Sequence, residues 1–162
     1  VEARRVHFKR ADQVELELLA ADMREGDRLE IQATSGRAPL LALRKAVRWS
    51  RRHGGDAWTG YIDGRVAAVF GIGKRALLSP AAYPWCLTSS AVDRAPRLFY
   101  RASRAVLASF LEEHQELEQF VDARYVQALR WVERLGFTLE PARPFGVAGL
   151  PFHRITIRRE TT

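Results

Sequence analysis

The 162-residue sequence predicts a single α+β domain, with one mixed β-sheet covered by helices on both faces. Three observations predict it. Asp63-Gly64 lies between two apolar runs, residues 56–62 and 65–73, and a two-residue Asp-Gly turn is a strong hairpin signal. The second run is apolar at consecutive positions, as in a central strand covered on both sides. Beyond it the order is strand, helix, strand, helix, strand, which implies helical crossovers and a sheet of mixed direction.

The elements follow in order. Residues 4–9 read as a first strand. Residues 11–23 place Val14, Leu16, Leu18 and Leu19 among Glu and Ala, which suits a helix. Gly26 breaks it. Asp27, three residues before Glu30, gives a capping-box-like start to a second helix that ends near Thr34. Pro39 opens a third helix to Arg52, with Leu40, Leu43, Ala46 and Val47 on one face, and Gly54-Gly55 ends it. After the hairpin, residues 83–90 form the next strand, irregular at first because Pro84 lacks a ladder donor. Pro96 starts a helix whose buried stripe is Leu98, Ala102, Ala105, Val106, Ser109 and Phe110, ending near His114. A short strand over 117–123 precedes a helix from Tyr125 to Leu135, closed by Gly136. Another strand begins at Phe137–Glu140. A Pro- and Gly-rich loop, 141–151, leads to the last strand, 152–159, whose alternating arginines suit a sheet edge.

Composition narrows the function classes. Hydrophobic residues make up 47%, enough for a continuous core. No apolar run approaches the roughly 18–20 residues that span a bilayer, and the first residues lack the apolar block of a secretory signal. The expectation is a soluble protein that stays in the compartment where it is made. The lone cysteine, Cys86, excludes an intrachain disulfide and reads as a small core residue. The four histidines lie far apart without partners at ligand spacing, so no metal site is expected. The net charge of +7 favours anionic partners: a phosphorylated cofactor, nucleic acid or an acidic protein. The densest basic cluster, Arg44–Arg52, lacks the interleaved aromatics and glycines of an RNA platform, which disfavours nucleic acid.

Residues 121–137, VDARYVQALRWVERLGF, are a strand followed by a helix that resembles the N-x-x-A-x-x-x-Y-x-x-x-G-F element of the GCN5-related N-acetyltransferases. Ala128, Leu135, Gly136 and Phe137 fit, and the element order fits across nearly the full chain. The resemblance implies a GNAT-like (acyl-CoA N-acyltransferase) fold. A narrower resemblance is carried by Met23–Ala33, Asp63–Ile72, Pro84–Ser90 and Arg97–Arg104 together with 121–137. These segments look like a phage and prophage family typified by an internal virion, or head-assembly, protein of short-tailed phages. That resemblance implies other phage or virion proteins as partners, and a location in the bacterial cytoplasm or in the particle.

The superfamily resemblance also implies where chemistry would lie. A loop of the form Q/R-x-x-G-x-G/A should grip the pyrophosphate of acetyl-CoA after the fourth strand. Here the stretch is Asp93 to Phe99, which has no glycine, and Pro96 contributes no N–H. Arg94 and Arg97 remain as side-chain phosphate ligands, with Leu87 and Thr88 on the preceding strand as further cofactor contacts. Tyr125 stands at the motif's Asn position. Val132 stands at the position of the Tyr that protonates the departing thiolate, and valine is no acid. Tyr125 is the candidate substitute, against a packing role. Ser89 is the candidate base, with Ser90 and Asp93 nearby. Arg24, Asp27 and Glu30 recur at three-residue spacing on the acceptor side. Asp27 and Glu30 could hold a cationic acceptor or assist proton removal; a surface ion-pair ladder with a cap explains the same spacing.

Three functional expectations follow. The leading one is an assembly or internal virion component that has kept the fold and lost the reaction. It predicts no acetyl-CoA binding and an exposed patch using Trp49, Trp85 or Trp131. The alternative is an acetyl-CoA-dependent N-acetyltransferase with a non-standard pyrophosphate loop, acting on an unknown amine. The second alternative is a nucleic-acid binder, with affinity that falls steeply with salt.

Overall fold

The computed structural model describes residues 4–161. The strands are β1 (Val6–Arg10), β2 (Asp56–Ile62), β3 (Arg65–Gly73), β4 (Ala81–Thr88), β5 (Glu116–Asp122), β6 (Thr138–Leu139), β7 (Arg143–Phe145) and β8 (Leu150–Arg158). The helices are α1 (Gln13–Ala21), α2 (Glu25–Ser35), α3 (Pro39–Arg52), α4 (Pro96–Glu113) and α5 (Val126–Leu135), with a 3₁₀ turn over Ser90–Arg94. The strand order is β1-β2-β3-β4-β5-β8-β6, with β7 also on β8. Among the described strands only β4 and β5 run parallel.

Local chemistry sets these elements. Asp63 and Gly64 both take positive φ, 51° and 78°, the mirror-image turn that matches strand twist. The Asp12 carboxylate accepts the N–H groups of Val14 and Glu15 and caps α1. Gly136 ends α5 with a left-handed residue. One core, including Leu19, Leu43, Val47 and Val69, lies between α1, α3 and the first strands. A second, including Leu117, Val132, Phe137 and Ile155, joins α5 to β5 and β8.

Four expectations need correction. Gly26 does not break a helix: α2 starts at Glu25, so Asp27 lies inside its first turn and caps nothing. The 141–151 stretch contains β7, and β8 is an interior strand. Arg154 therefore sits mid-sheet, where it bridges Glu118 (2.7 Å) and Glu140 (3.0 Å) on either side. The α4 stripe is not buried. Ala105 and Ser109 face solvent and the rest are half-covered, because α4 stands clear of the sheet above a cavity.

The turn between β7 and β8 folds back on α2. Val147 and Ala148 donate their N–H groups to the carbonyls of Thr34 and Ala33, both at 3.2 Å. These are carbonyls that a helix C-terminus leaves without partners. Gly146 approaches so closely that a Cβ there would lie 2.7 Å from the Ala33 oxygen.

The β4–β5 ladder has only two pairs, Ala81 with Glu116 and Ala82 with Leu117. Beyond them the strands fork. Pro84 follows the last pair and has no N–H to offer; its carbonyl accepts the side-chain amide of Gln119 instead (2.8 Å).

Candidate functional site

The fork opens into a continuous cavity of about 1560 Å³, which runs from Pro96 and Phe99 past Thr88 to Glu30. Helix α2 is fixed across it. Met23 bridges to Ser89 just beyond β4, and the Arg24 N–H donates to the Thr88 carbonyl (3.1 Å). The first turn of α2 is thereby set over the end of β4. The Asp27 carboxylate then accepts the Thr88 N–H (2.8 Å) and the Thr88 hydroxyl (2.5 Å). Asp27 is 6% exposed. Burial lifts its pKa against those bonds and against the Arg24 charge.

Glu30, one turn later, reaches the other prong. Its Oε2 accepts the Asp122 N–H at the end of β5 (3.1 Å). Burial, helped by the charges of Asp27 and Asp122, pushes the Glu30 pKa up to about 8. Two carboxyl groups on consecutive turns thus clamp the two diverging strands, and Glu30 keeps an opening to the cavity. Surface ion-pair chemistry does not describe this pair.

Tyr125 joins them. Its hydroxyl interacts with Asp27, and burial together with the Asp27 charge raises its pKa, so it stays a protonated phenol. Its ring lies over Gly26, where an added Cβ would fall 2.3 Å from Cε1. Gly26→Ala therefore forces the ring aside. The expected result is a stability loss of about 1–3 kcal/mol, the usual range for overpacking, read by urea unfolding.

The other candidates separate. Ser89 is buried; its hydroxyl donates to the Val66 carbonyl (2.6 Å) and accepts the Ala91 N–H (3.2 Å), so it caps the 3₁₀ turn. Asp93 pairs with Arg24 (3.2 Å). Leu87 and Thr88 line the cavity. Val132 is buried in the α5 core. Cys86 lines the cavity too, but burial raises its pKa and keeps the thiol protonated, which disarms it as a nucleophile. Arg94 and Arg97 are exposed at the start of α4, and neither pairs with a carboxylate among the described residues. The Arg94 carbonyl accepts the Arg4 guanidinium (2.8 Å).

Trp49, Trp85 and Trp131 do not form the expected open patch. Trp85 donates to the Ser50 hydroxyl (2.8 Å), Trp49 stacks on His53, and Trp131 stacks on Phe99. Among the described residues no His, Cys, Asp or Glu group has a metal-holding arrangement. No described helix is long and apolar enough to cross a membrane.

No family model and no curated protein matches the sequence. Solved structures do match. The ribosomal-protein-alanine N-acetyltransferase of Brucella melitensis is 14% identical with a TM-score of 0.67, covering 94% of this chain and 99% of that one. A ribosomal L7/L12 α-N-protein acetyltransferase in complex with coenzyme A is 10% identical, TM-score 0.66, covering 94% and 93%. A spermidine N-acetyltransferase chimera, built in part from the Vibrio cholerae enzyme, is 9% identical, TM-score 0.68, covering 94% and 95%. These neighbours are acetyltransferases, not particle proteins. The expected likeness to phage internal virion proteins, and with it the reading of a degenerate assembly component, is withdrawn. What the likeness shows is the architecture: the chain has the fold of the GCN5-related N-acetyltransferases.

Proposed function

We propose that the protein is an acetyl-CoA-dependent N-acetyltransferase in which Glu30 takes the proton from the acceptor amine. The observation that carries this reading is a carboxyl group held by the Asp122 N–H at the mouth of the β4–β5 fork and open to the cavity; burial there pushes its pKa up to about 8. A base poised near neutral pH is what amine deprotonation requires. The Asp122 N–H holds Glu30 at the end of β5, and the nearby Asp27 carboxylate, which also lines the cavity, favours a cationic amine there. Tyr125 keeps a proton on its oxygen at the same place and is the donor available to a departing group.

The residues at the far end of the cavity fit a diphosphate, though not through a glycine loop. The N–H groups of Ala91, Val92 and Ala95 are turned inward, to Ser89 and Val92. The first turn of α4 remains. Its Arg97 and Leu98 N–H groups lie where a helix has no internal acceptor, and Arg94 and Arg97 are exposed basic residues of the same segment. Acetyl-CoA held there would supply the acyl group as an activated thioester.

Thermal melting tests this. At one hundred times its Kd, acetyl-CoA should stabilise the fold by about 2.7 kcal/mol, a rise of several degrees for a domain of this size. Arg94→Ala with Arg97→Ala should remove most of that shift. A flat melt, with no amine acetylated in its presence, overturns the proposal.

A further inference from the structure

Resting on that reading, we infer that the acceptor is an amine carried on an acidic peptide segment. A row of cations runs along one wall of the cavity. Lys45, Arg48 and Arg52 of α3, joined by Arg37 just before it, line this wall. On α3 their spacing of three and four residues puts them on one face. None of the four has a carboxylate within salt-bridge distance among the described residues, and none of their side chains donates a hydrogen bond there.

The rest of the helix makes the contrast. Arg44 is engaged by Gln13 (3.2 Å) and Glu17 (4.0 Å). Arg51 holds Asp56 (2.8 Å) and the Ala11 carbonyl (2.7 Å). The arginines that face the body of the protein are satisfied internally, and those that face the cavity are left uncompensated.

Charge along the cavity therefore changes sign. Its carboxylates, among the described residues, are Asp27, Glu30 and Asp93, and Asp93 is paired with Arg24. Asp27 and Glu30 suit a cationic amine, while the α3 wall of the same cavity suits anions. A polyamine or other polycation meets the wall as a like charge. From Lys45 to Arg52 the helix rises about 10.5 Å, the length of about three residues of extended chain. A single phosphate cannot span that row; successive Asp or Glu side chains can.

The test uses the whole protein, acetyl-CoA and three peptides with a free N-terminus, identical except that residues 2–4 are acidic, neutral or basic, plus spermidine and a short RNA. The acidic peptide should give a kcat/KM at least tenfold above the basic one. Its KM should rise with added salt. Lys45→Glu, Arg48→Glu and Arg52→Glu combined should raise KM for the acidic peptide tenfold or more with kcat nearly unchanged, and should invert the peptide preference. A retained acetyl-CoA melting shift shows that the variant is folded. The milder Gln variants should fall between.

Equal or better turnover of the basic peptide or spermidine overturns the inference. So does RNA binding that the charge reversal abolishes while peptide preference stays flat. Should no amine be acetylated at all, binding of the labelled acidic peptide still decides. Binding lost on charge reversal supports the acidic-partner assignment even as the acetyltransferase reading fails, and no binding sinks both.

Discussion

Glu30→Gln is expected to lower kcat/KM for amine acetylation by about 10²–10⁴-fold, the usual contribution of a positioned base. The acetyl-CoA melting shift should survive, because Glu30 sits on the acceptor side. The wild-type rate should climb with pH as Glu30 ionises near pH 8, and the variant should lose that limb. Stability supplies an independent check. Burial raises the Glu30 pKa from 4.5 to about 8. Across that window the folded state keeps a proton that the unfolded chain has released. Folding therefore binds protons there, and stability falls as pH rises towards 8. Glutamine does not titrate and can still accept the Asp122 N–H. The variant should melt a few degrees above wild type at pH 8–9 and differ little near pH 4. A less active, more stable variant is the signature of a strained base. Full activity without the stability gain would remove Glu30 from the mechanism.

Leu117→Ala carries the largest expected loss of stability. Leu117 is fully buried and pairs with Ala82 at the last rung before the fork. Truncating such a leucine costs about 2–5 kcal/mol, from lost transfer energy and the cavity left behind. For a domain of this size that is a drop of about 5–20 °C in Tm. Because the rung is where β4 and β5 part, the variant should also widen the fork and raise KM for acetyl-CoA at temperatures where it is still folded. Unchanged melting would mean that the second core does not hold the fork.

Much of the architecture is legible in the sequence because its signals are local. Asp63-Gly64, Pro39, Pro96 and Gly136 each act through backbone geometry within a few residues, and the elements they bound form where expected. The errors come where distant contacts decide. Asp27 three residues before Glu30 looks like a capping box, yet Thr88, sixty-one residues away, claims the Asp27 carboxylate. The arginines of residues 152–159 look like an edge, yet β6 and β7 pair with β8 and place Arg154 between two glutamates. The α4 stripe has the right period, but period cannot show that a helix stands off over a cavity.

The site divides in the same way. The pairing of Asp27 and Glu30 was visible from their spacing, and so was the missing glycine after β4. The Asp122 N–H that fixes Glu30 was not, because a backbone donor leaves no mark on residue identity. Nor was the difference between the spent and unspent arginines of α3: all carry the same charge, and only their partners distinguish them.

The contact between the β7–β8 turn and α2 bears on when the site comes into being. It joins residues more than a hundred positions apart, and loops of that size close late and at high entropic cost. During synthesis α2 leaves the ribosome long before its last carbonyls find their donors. The helix that carries both acidic groups is therefore finished only after β8 has been added. A chain stalled before Gly146 would lack β8, the strand on which β5, β6 and β7 pair, and would have no settled acceptor pocket, so competence for catalysis would arrive as the final act of maturation.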